Sequence, residues 1–300
     1  MRYNFANFAV KSSTMQKTIL ITGATSGLGL EAAKQLSKQG HELILLCRNK
    51  EKGAAALAEI KTFSGNNKLH LYTANLSSQK SIEQAAQNIK KDFSKLDVLL
   101  NNAGAVFSDF QLSEDGIEMT MANNHFNYFW LTYYLFDLLK NANGARIVNV
   151  ASDSHYSAKK IDIDSFYQKK GRYFVLSAYE QSKLANVLFT YALAEKAKPF
   201  NITVNALHPG FVYTPIGEKN GNKFFGMVWN TMSKLFGLTV EKGASSHIYL
   251  ASSDEVKNVS GKYFHNCKDK RSSGISYDKN VQELLWKESE RKSGFSFLSL

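Results

Sequence analysis

The stretch Thr18-Ile19-Leu20-Ile21-Thr22-Gly23-Ala24-Thr25-Ser26-Gly27-Leu28-Gly29 constrains this chain more than any other. A short apolar, β-branched run that ends in glycine suits a buried parallel strand. Helical spacing takes over from Leu28 to Lys38. Between them, glycines let the backbone turn sharply and come close to a charged ligand. A helix opening at that point offers free N–H groups and the positive end of its dipole, which together favour a pyrophosphate. Gly23, Thr25, Ser26, Gly27, Leu28 and Gly29 are therefore expected to cradle a phosphate-bearing ligand. A purely structural glycine turn is the competing reading, and the strand-to-helix context weighs against it.

The same alternation continues along the chain. Apolar runs predict strands at Leu43 to Cys47, Leu69 to Thr73, Asp97 to Leu100, Arg146 to Ala151, Ile202 to Leu207 and Gly261 to Phe264. Helical patterns lie at Glu51 to Lys61, Ser81 to Phe93, Ser113 to Leu139 and Ala178 to Lys196, and near 224–236 and 242–252. Strands separated by helices of this length imply βαβ units, a parallel sheet of about seven strands and helices on both faces. Ligands of such sheets bind at the carboxyl ends of the strands. With only 3 prolines and no linker or repeat, one α/β domain is expected at 15–290. An extension (1–14) and a short tail (291–300) flank it. Segments 153–177 and 211–238 are the candidate substrate loops.

Every remaining motif follows a strand. The second strand ends in Cys47-Arg48-Asn49. An acid there would hold a ribose 2′-hydroxyl, whereas arginine accommodates a 2′-phosphate. Cys47 stands where the acid would be, so Arg48 and Asn49 point to NADP(H). Tyr179 and Lys183 lie four apart on one helix face. A free tyrosine has a pKa of about 10, and an adjacent ammonium is expected to lower it. Ser152, at the end of the fifth strand, offers a hydroxyl to hold a substrate oxygen while Tyr179 handles the proton. Asn124 is a polar residue in an apolar, aromatic segment. It reads either as a buried amide satisfied by backbone or as a relay holding a water near Lys183. Tyr179 follows Ser152 by 27 residues, so the segment between them is either a substrate mouth or a surface loop.

Composition excludes several classes. The most apolar segment, Phe129 to Leu139, is interrupted by Thr132 and Asp137, well short of the roughly 20 apolar residues of a membrane span. The N-terminal residues lack a signal-peptide core, so a soluble cytoplasmic protein is expected, ahead of organellar import. The 2 cysteines have no metal-ligand spacing, and no metal is expected. The net charge of +11 comes from scattered lysines. Nothing resembles the aromatic-interleaved platform of a nucleic-acid binder.

Together these residues resemble the short-chain dehydrogenase/reductase family over about residues 17–290. The glycine stretch, Asn101-Asn102-Ala103-Gly104 and Tyr179-Glu180-Gln181-Ser182-Lys183 match its motifs. The segments Cys47-Arg48-Asn49, Asn123-Asn124-His125-Phe126, His208-Pro209-Gly210 and Leu285 to Arg291 are similar to its retinol dehydrogenase-like branch. Protochlorophyllide reductases are near neighbours. The resemblance implies a Rossmann-type fold and a catalytic set of Asn124, Ser152, Tyr179 and Lys183. It also implies cofactor contacts from Asn102, Ala103 and Gly104, from Val212 and Thr214 to the nicotinamide carboxamide, and from Tyr179 and Lys183. Where the family usually has Asp-Leu against the adenine, this chain has Asn75-Leu76. The implied reaction interconverts an apolar alcohol and its carbonyl, and a homodimer paired through helices 113–139 and 178–196 is a further expectation. A non-catalytic NADP(H) sensor and a light-driven tetrapyrrole reductase are the alternatives.

Overall fold

The computed structural model describes residues 15–169, 171–210 and 239–297. Eight strands form one sheet in the order β3-β2-β1-β4-β5-β6-β7-β8. They are β1 (Thr18–Thr22), β2 (Glu42–Cys47), β3 (Leu69–Thr73), β4 (Val98–Asn101), β5 (Arg146–Val150), β6 (Thr203–Leu207), β7 (Lys262–His265) and β8 (Lys268–Asp269). The first seven pair in parallel, and β8 turns back antiparallel to β7. That hairpin is the strand the periodicity did not signal. Its turn places Asn266 and Cys267 at positive φ, and two residues are too few for a pattern.

Side chains alternate across the sheet, as the pleat requires. Ile19, Ile21, Leu43, Leu45, Val98 and Leu100 face one layer, while Leu20, Ile44, Leu46 and Leu99 face the other. The first layer carries α1 (Gly27–Lys38) and α2 (Lys50–Ser64). Helix α3 (Gln79–Asp92) packs on the opposite side. Strand order reverses between β1 and β4, so a crevice opens above their carboxyl ends.

The expected helix from Ser113 to Leu139 is corrected. Gly116 takes a left-handed φ of 68°, and Leu112 bridges Glu118, so residues 113–118 form a turn. Glu118 caps the short α4 (Met119–Met121). A π-turn over Ala122–Phe126 follows, then α5 (Asn127–Tyr134) and α6 (Phe136–Lys140). The helix carrying Tyr179 also begins earlier than expected, as α7 (Val175–Ala197). Helix α8 (Val240–Ser252) joins the α1 layer. The helical expectation near 224–236 lies outside the described residues.

The chain continues past 290 as core. Helix α9 (Lys279–Ser293) ends at Gly294, in the left-handed conformation. It lies across α5 and α7. Trp286 stacks on Phe189 and meets Phe129 edge-on at 5.5 Å. Ser289 and Ser293 bond His125 and the Trp130 indole. Phe297 is fully buried between Phe129 and Phe136. The helices expected to pair in a dimer have aromatic residues, Phe129, Phe136 and Phe189, packed against the chain's own C-terminal segment. Phe297→Ala is expected to remove roughly 3 kcal/mol of unfolding free energy. Urea unfolding checks this, and a change near zero would mean the tail is not part of the core.

Candidate active site

The cradle forms because β1 and β4 end almost in contact. Thr22 Oγ1 accepts from the Asn102 and Ala103 N–H groups, both at 2.9 Å, and the Asn102 carboxamide donates to Thr22 O at 2.8 Å. A Cβ on Gly29 would sit 2.4 Å from Asn102 Nδ2 and 2.5 Å from Gly23 O. One on Gly23, whose φ is +70°, would sit 2.9 Å from Ala103 Cα. Only glycine lets strand, loop and helix approach this closely. Ser26 stands at the N-cap of α1 but makes no side-chain cap bond, so the first N–H groups of the helix lack that usual acceptor. Thr25, Ser26 and Gly27 are part-exposed beside it, and Leu28 turns into the core.

Beyond β2, Arg48 is exposed. Asn49 accepts the Lys52 N–H at 2.7 Å and caps α2, so its carboxamide oxygen is committed to the helix. Cys47 is buried, and burial raises its thiol pKa. Asn75 is exposed, with its oxygen accepting from the Ser77 N–H and hydroxyl. Leu76 is buried.

Four sequence-predicted residues converge on the ends of β4 and β5. A Cβ on Gly104 would meet Asn124 Oδ1 at 3.1 Å and Lys183 Nζ at 3.3 Å, so this glycine leaves room for both. Asn124, fully buried in the π-turn, accepts from Ala105 N and donates to Ala105 O and to the Ser182 hydroxyl. Its amide is satisfied by protein groups. Lys183 is buried, donates to Val150 O at 3.1 Å and lies 5.7 Å from the Tyr179 ring centre. Ser152, just past β5, lies close enough to Tyr179 for its hydroxyl to lower the phenol's pKa. Val212 and Thr214 lie outside the described residues.

The electrostatics depart from expectation in one respect. Burial raises the Tyr179 phenol above its usual value, against a smaller lowering by the Ser152 hydroxyl. Burial likewise pushes the Lys183 ammonium down from 10.5 to about 7. Desolvation outweighs the expected help from Lys183, because no carboxylate among the described residues pairs with that ammonium.

Sequence reasoning missed the support beneath these groups. Val150 O accepts from Asn186 and Tyr128 as well as Lys183. Asn186 O accepts the Thr190 hydroxyl. Thr190 takes the Asn149 carboxamide, and Asn149 takes that of Asn101, its register partner across β4 and β5. All four side chains are fully buried. The signal was polar residues inside apolar runs: Asn101 in β4, Asn149 in β5, and Asn186 and Thr190 in α7.

Comparison with known proteins matches the short chain dehydrogenase family model over residues 17–223. The chain belongs to the short-chain dehydrogenase family. Human "Retinol dehydrogenase 13" is 37% identical over 287 residues, covering 95% of this chain and 86% of that protein. An uncharacterized protein from Mycobacterium paratuberculosis superposes with a TM-score of 0.76 at 27% identity, covering 95% of this chain and 96% of that one. A short-chain dehydrogenase from Shigella flexneri 2a, solved in complex with NADP, gives 0.66 at 24% identity, covering 84% and 97%.

In this short-chain dehydrogenase the segment before Tyr179 is folded. It carries short 3-10 turns at Asp153–Tyr156 and Ile163–Phe166, and Phe166 is buried. Tyr173 donates to the buried Glu118 at 2.9 Å and packs on Phe110 at 5.9 Å. Phe174 and Leu176, one helical turn before Tyr179, stand 63% and 54% exposed. Leu112, close by in sequence to Phe110, is exposed as well.

A lysine whose charge is disfavoured by folding weakens the fold most where it must be charged. That penalty is full below about pH 7, shrinks as pH rises, and is gone above the free-lysine value of 10.5. Lys183→Met is therefore expected to stabilise the ligand-free chain by about 2 kcal/mol near pH 6 and much less near pH 10. Thermal unfolding at the two pH values checks it, and a pH-independent or opposite change refutes it.

Proposed function

We propose that this short-chain dehydrogenase is an NADP(H)-dependent oxidoreductase that interconverts an apolar alcohol and its aldehyde or ketone, with Tyr179 as the acid–base group. The observation that carries this reading is the convergence of Asn124, Lys183 and Gly104, with Ser152 against Tyr179, beside an uncapped helix terminus. An alcohol-type substrate also agrees with the name of the human relative, and the dinucleotide with the Shigella complex. Exposed Phe174, Leu176 and Leu112 favour an apolar substrate at the mouth.

The cradle fits a dinucleotide. The N–H groups of Gly23 and of Thr25 to Gly29, Leu28 included, would hold its diphosphate, and Arg48 its 2′-phosphate. Asn49 would border that phosphate, and Asn75 and Leu76 the adenine. Asn102, Ala103 and Gly104 would support the ribose, with Val212 and Thr214 at the nicotinamide. When bound, NADPH supplies the hydride that reaches the carbonyl carbon. The Ser152 hydroxyl donates to the substrate oxygen and orients it. Tyr179 then passes its phenolic proton to that oxygen. The raised pKa keeps Tyr179 protonated at neutral pH, the form a reduction needs. The negative charge of a bound dinucleotide would favour the ammonium form of Lys183, and that charge would ease loss of the Tyr179 proton. Asn124 holds the Ala105 loop in place against Ser182 and so sets the wall on which Lys183 rests.

An NADPH-oxidation screen against retinal, decanal, steroid ketones and quinones tests the reading. Tyr179→Phe is expected to lower kcat by about 10²–10⁴-fold while NADPH binding changes little. Full turnover in that variant would remove Tyr179 from the chemistry, and no turnover of any of these carbonyls by the native chain would remove the reaction class. Separately, Arg48→Asp is expected to cut the NADPH-over-NADH preference about tenfold or more. An unchanged ratio of kcat/KM values would show that Arg48 does not read the 2′-phosphate.

A further inference from the structure

The reading of Ser152 as the group that orients the substrate leaves open what orients Ser152. Within its own turn its hydroxyl accepts the Ser154 N–H at 3.2 Å and donates to the Ser154 hydroxyl at 3.1 Å. Its carbonyl accepts the His155 backbone N–H at 3.2 Å within the same turn and is held further by that residue's side chain. His155 is fully buried, with Nδ1 2.7 Å from Ser152 O. On the other side of the ring, Nε2 lies 3.1 Å from Ser273 N. A backbone N–H can only donate, so Nε2 accepts, the proton sits on Nδ1, and Nδ1–H donates to Ser152 O. Burial keeps the imidazole neutral by lowering its pKa. The Tyr263 hydroxyl reaches the same carbonyl at 3.5 Å. Tyr263 itself is fully buried, 4.7 Å from the His155 ring.

The geometry points to His155 as a positioning residue: it ties the Ser152 turn to the segment between β8 and α9, through Ser273, and so holds the Ser152 hydroxyl against Tyr179. This rests on the proposed role of Ser152. The far end of the tie is firm. The hydroxyls of Ser272, Ser276 and Tyr191 bond one another, and Tyr191 lies on α7, the helix that carries Tyr179. The Tyr156 hydroxyl bonds Arg271 O. The segment 271–276 is thereby fastened both to α7 and to the turn that carries Ser152. His155 is the side chain that closes the loop, and a displaced hydroxyl loses turnover without losing cofactor.

The test is a double-mutant cycle on kcat for NADPH oxidation, with NADPH affinity followed by fluorescence. The carbonyl is the one of retinal, decanal, a steroid ketone and a quinone that the native chain turns over fastest. His155→Leu is expected to lower kcat about tenfold or more and to leave NADPH affinity within about twofold. On a Ser152→Ala background the same change should add less than about twofold, since no hydroxyl remains to position. His155→Asn can still present an N–H to Ser152 O, and it should recover most of the loss. The inference is overturned if His155→Leu multiplies the Ser152→Ala defect, if NADPH affinity falls in step with kcat, or if asparagine does no better than leucine. If His155→Leu does not fold, His155→Asn against His155→Gln decides: the longer glutamine cannot keep the same bond, and equal kcat values would sink the idea. Full turnover by Ser152→Ala would instead reject the role given to Ser152, whatever His155 does. A native chain that turns over none of the four carbonyls rejects both.

Discussion

The near-contact between the ends of β1 and β4 is the constraint on which the site depends. Thr22 accepts two backbone N–H groups from the chain leaving β4, and Asn102 returns a bond to Thr22 O. This pins one short loop to the glycine turn on one side. Two residues further, Gly104 lies against Asn124 and Lys183 on the other. The glycine turn and the group around Lys183, the proposed phosphate cradle and proton-handling site, therefore share three consecutive residues as a common wall. A side chain at Gly29 or Gly104 would push apart groups whose separation the chemistry needs, which is why glycine at these places is a steric requirement.

Lys183 shows the tension such a site carries. Folding places its ammonium next to a carbonyl but supplies no carboxylate for it among the described residues, so burial lowers its pKa to about 7. The fold gives up stability for a cation that, on the proposed reading, serves once an anionic ligand is bound. The buried run from Val150 through Asn186, Thr190 and Asn149 to Asn101 makes this tolerable. It keeps the Val150 carbonyl aimed at Lys183 through neutral groups, which shed less hydration on burial than a charged partner would.

What the sequence disclosed follows from how local each signal is. The β1 run, the glycine turn and the Tyr179–Lys183 spacing were legible because each is set by neighbours along the chain. The sheet's doubly wound order followed from the alternation of strands and helices. The break before Met119 was legible in Ser113-Glu114-Asp115-Gly116, whose Asp-Gly pair is a turn signal, but the apolar pattern that starts at Ile117 drew the expected helix back over it; the left-handed Gly116 marks the turn. Helix α9 escaped notice because half of its surface is charged; its apolar stripe, Leu285 and Trp286, acquires meaning only against Phe129 and Phe189. Asn49, read from the sequence as a ligand residue, also caps α2, a role that its place before the helical run Lys50 to Ser64 could have signalled.

The C-terminal segment connects these threads. Helix α7 presents Tyr179 and Lys183 at its start and would leave aromatic surface bare along its outer face. Helix α9 covers that surface, with Trp286 stacked on Phe189, so α7 is held from outside as well as by β5 and β6. The stretch just before α9 reaches under the site to Ser273 and His155. A proton transfer to a small carbonyl depends on positions held within a fraction of an ångström. Hydroxyls on a turn and at a helix start do not reach that rigidity alone. On the proposed reading, that rigidity comes from the described residues 271–276, which fasten the turn carrying Ser152 to α7.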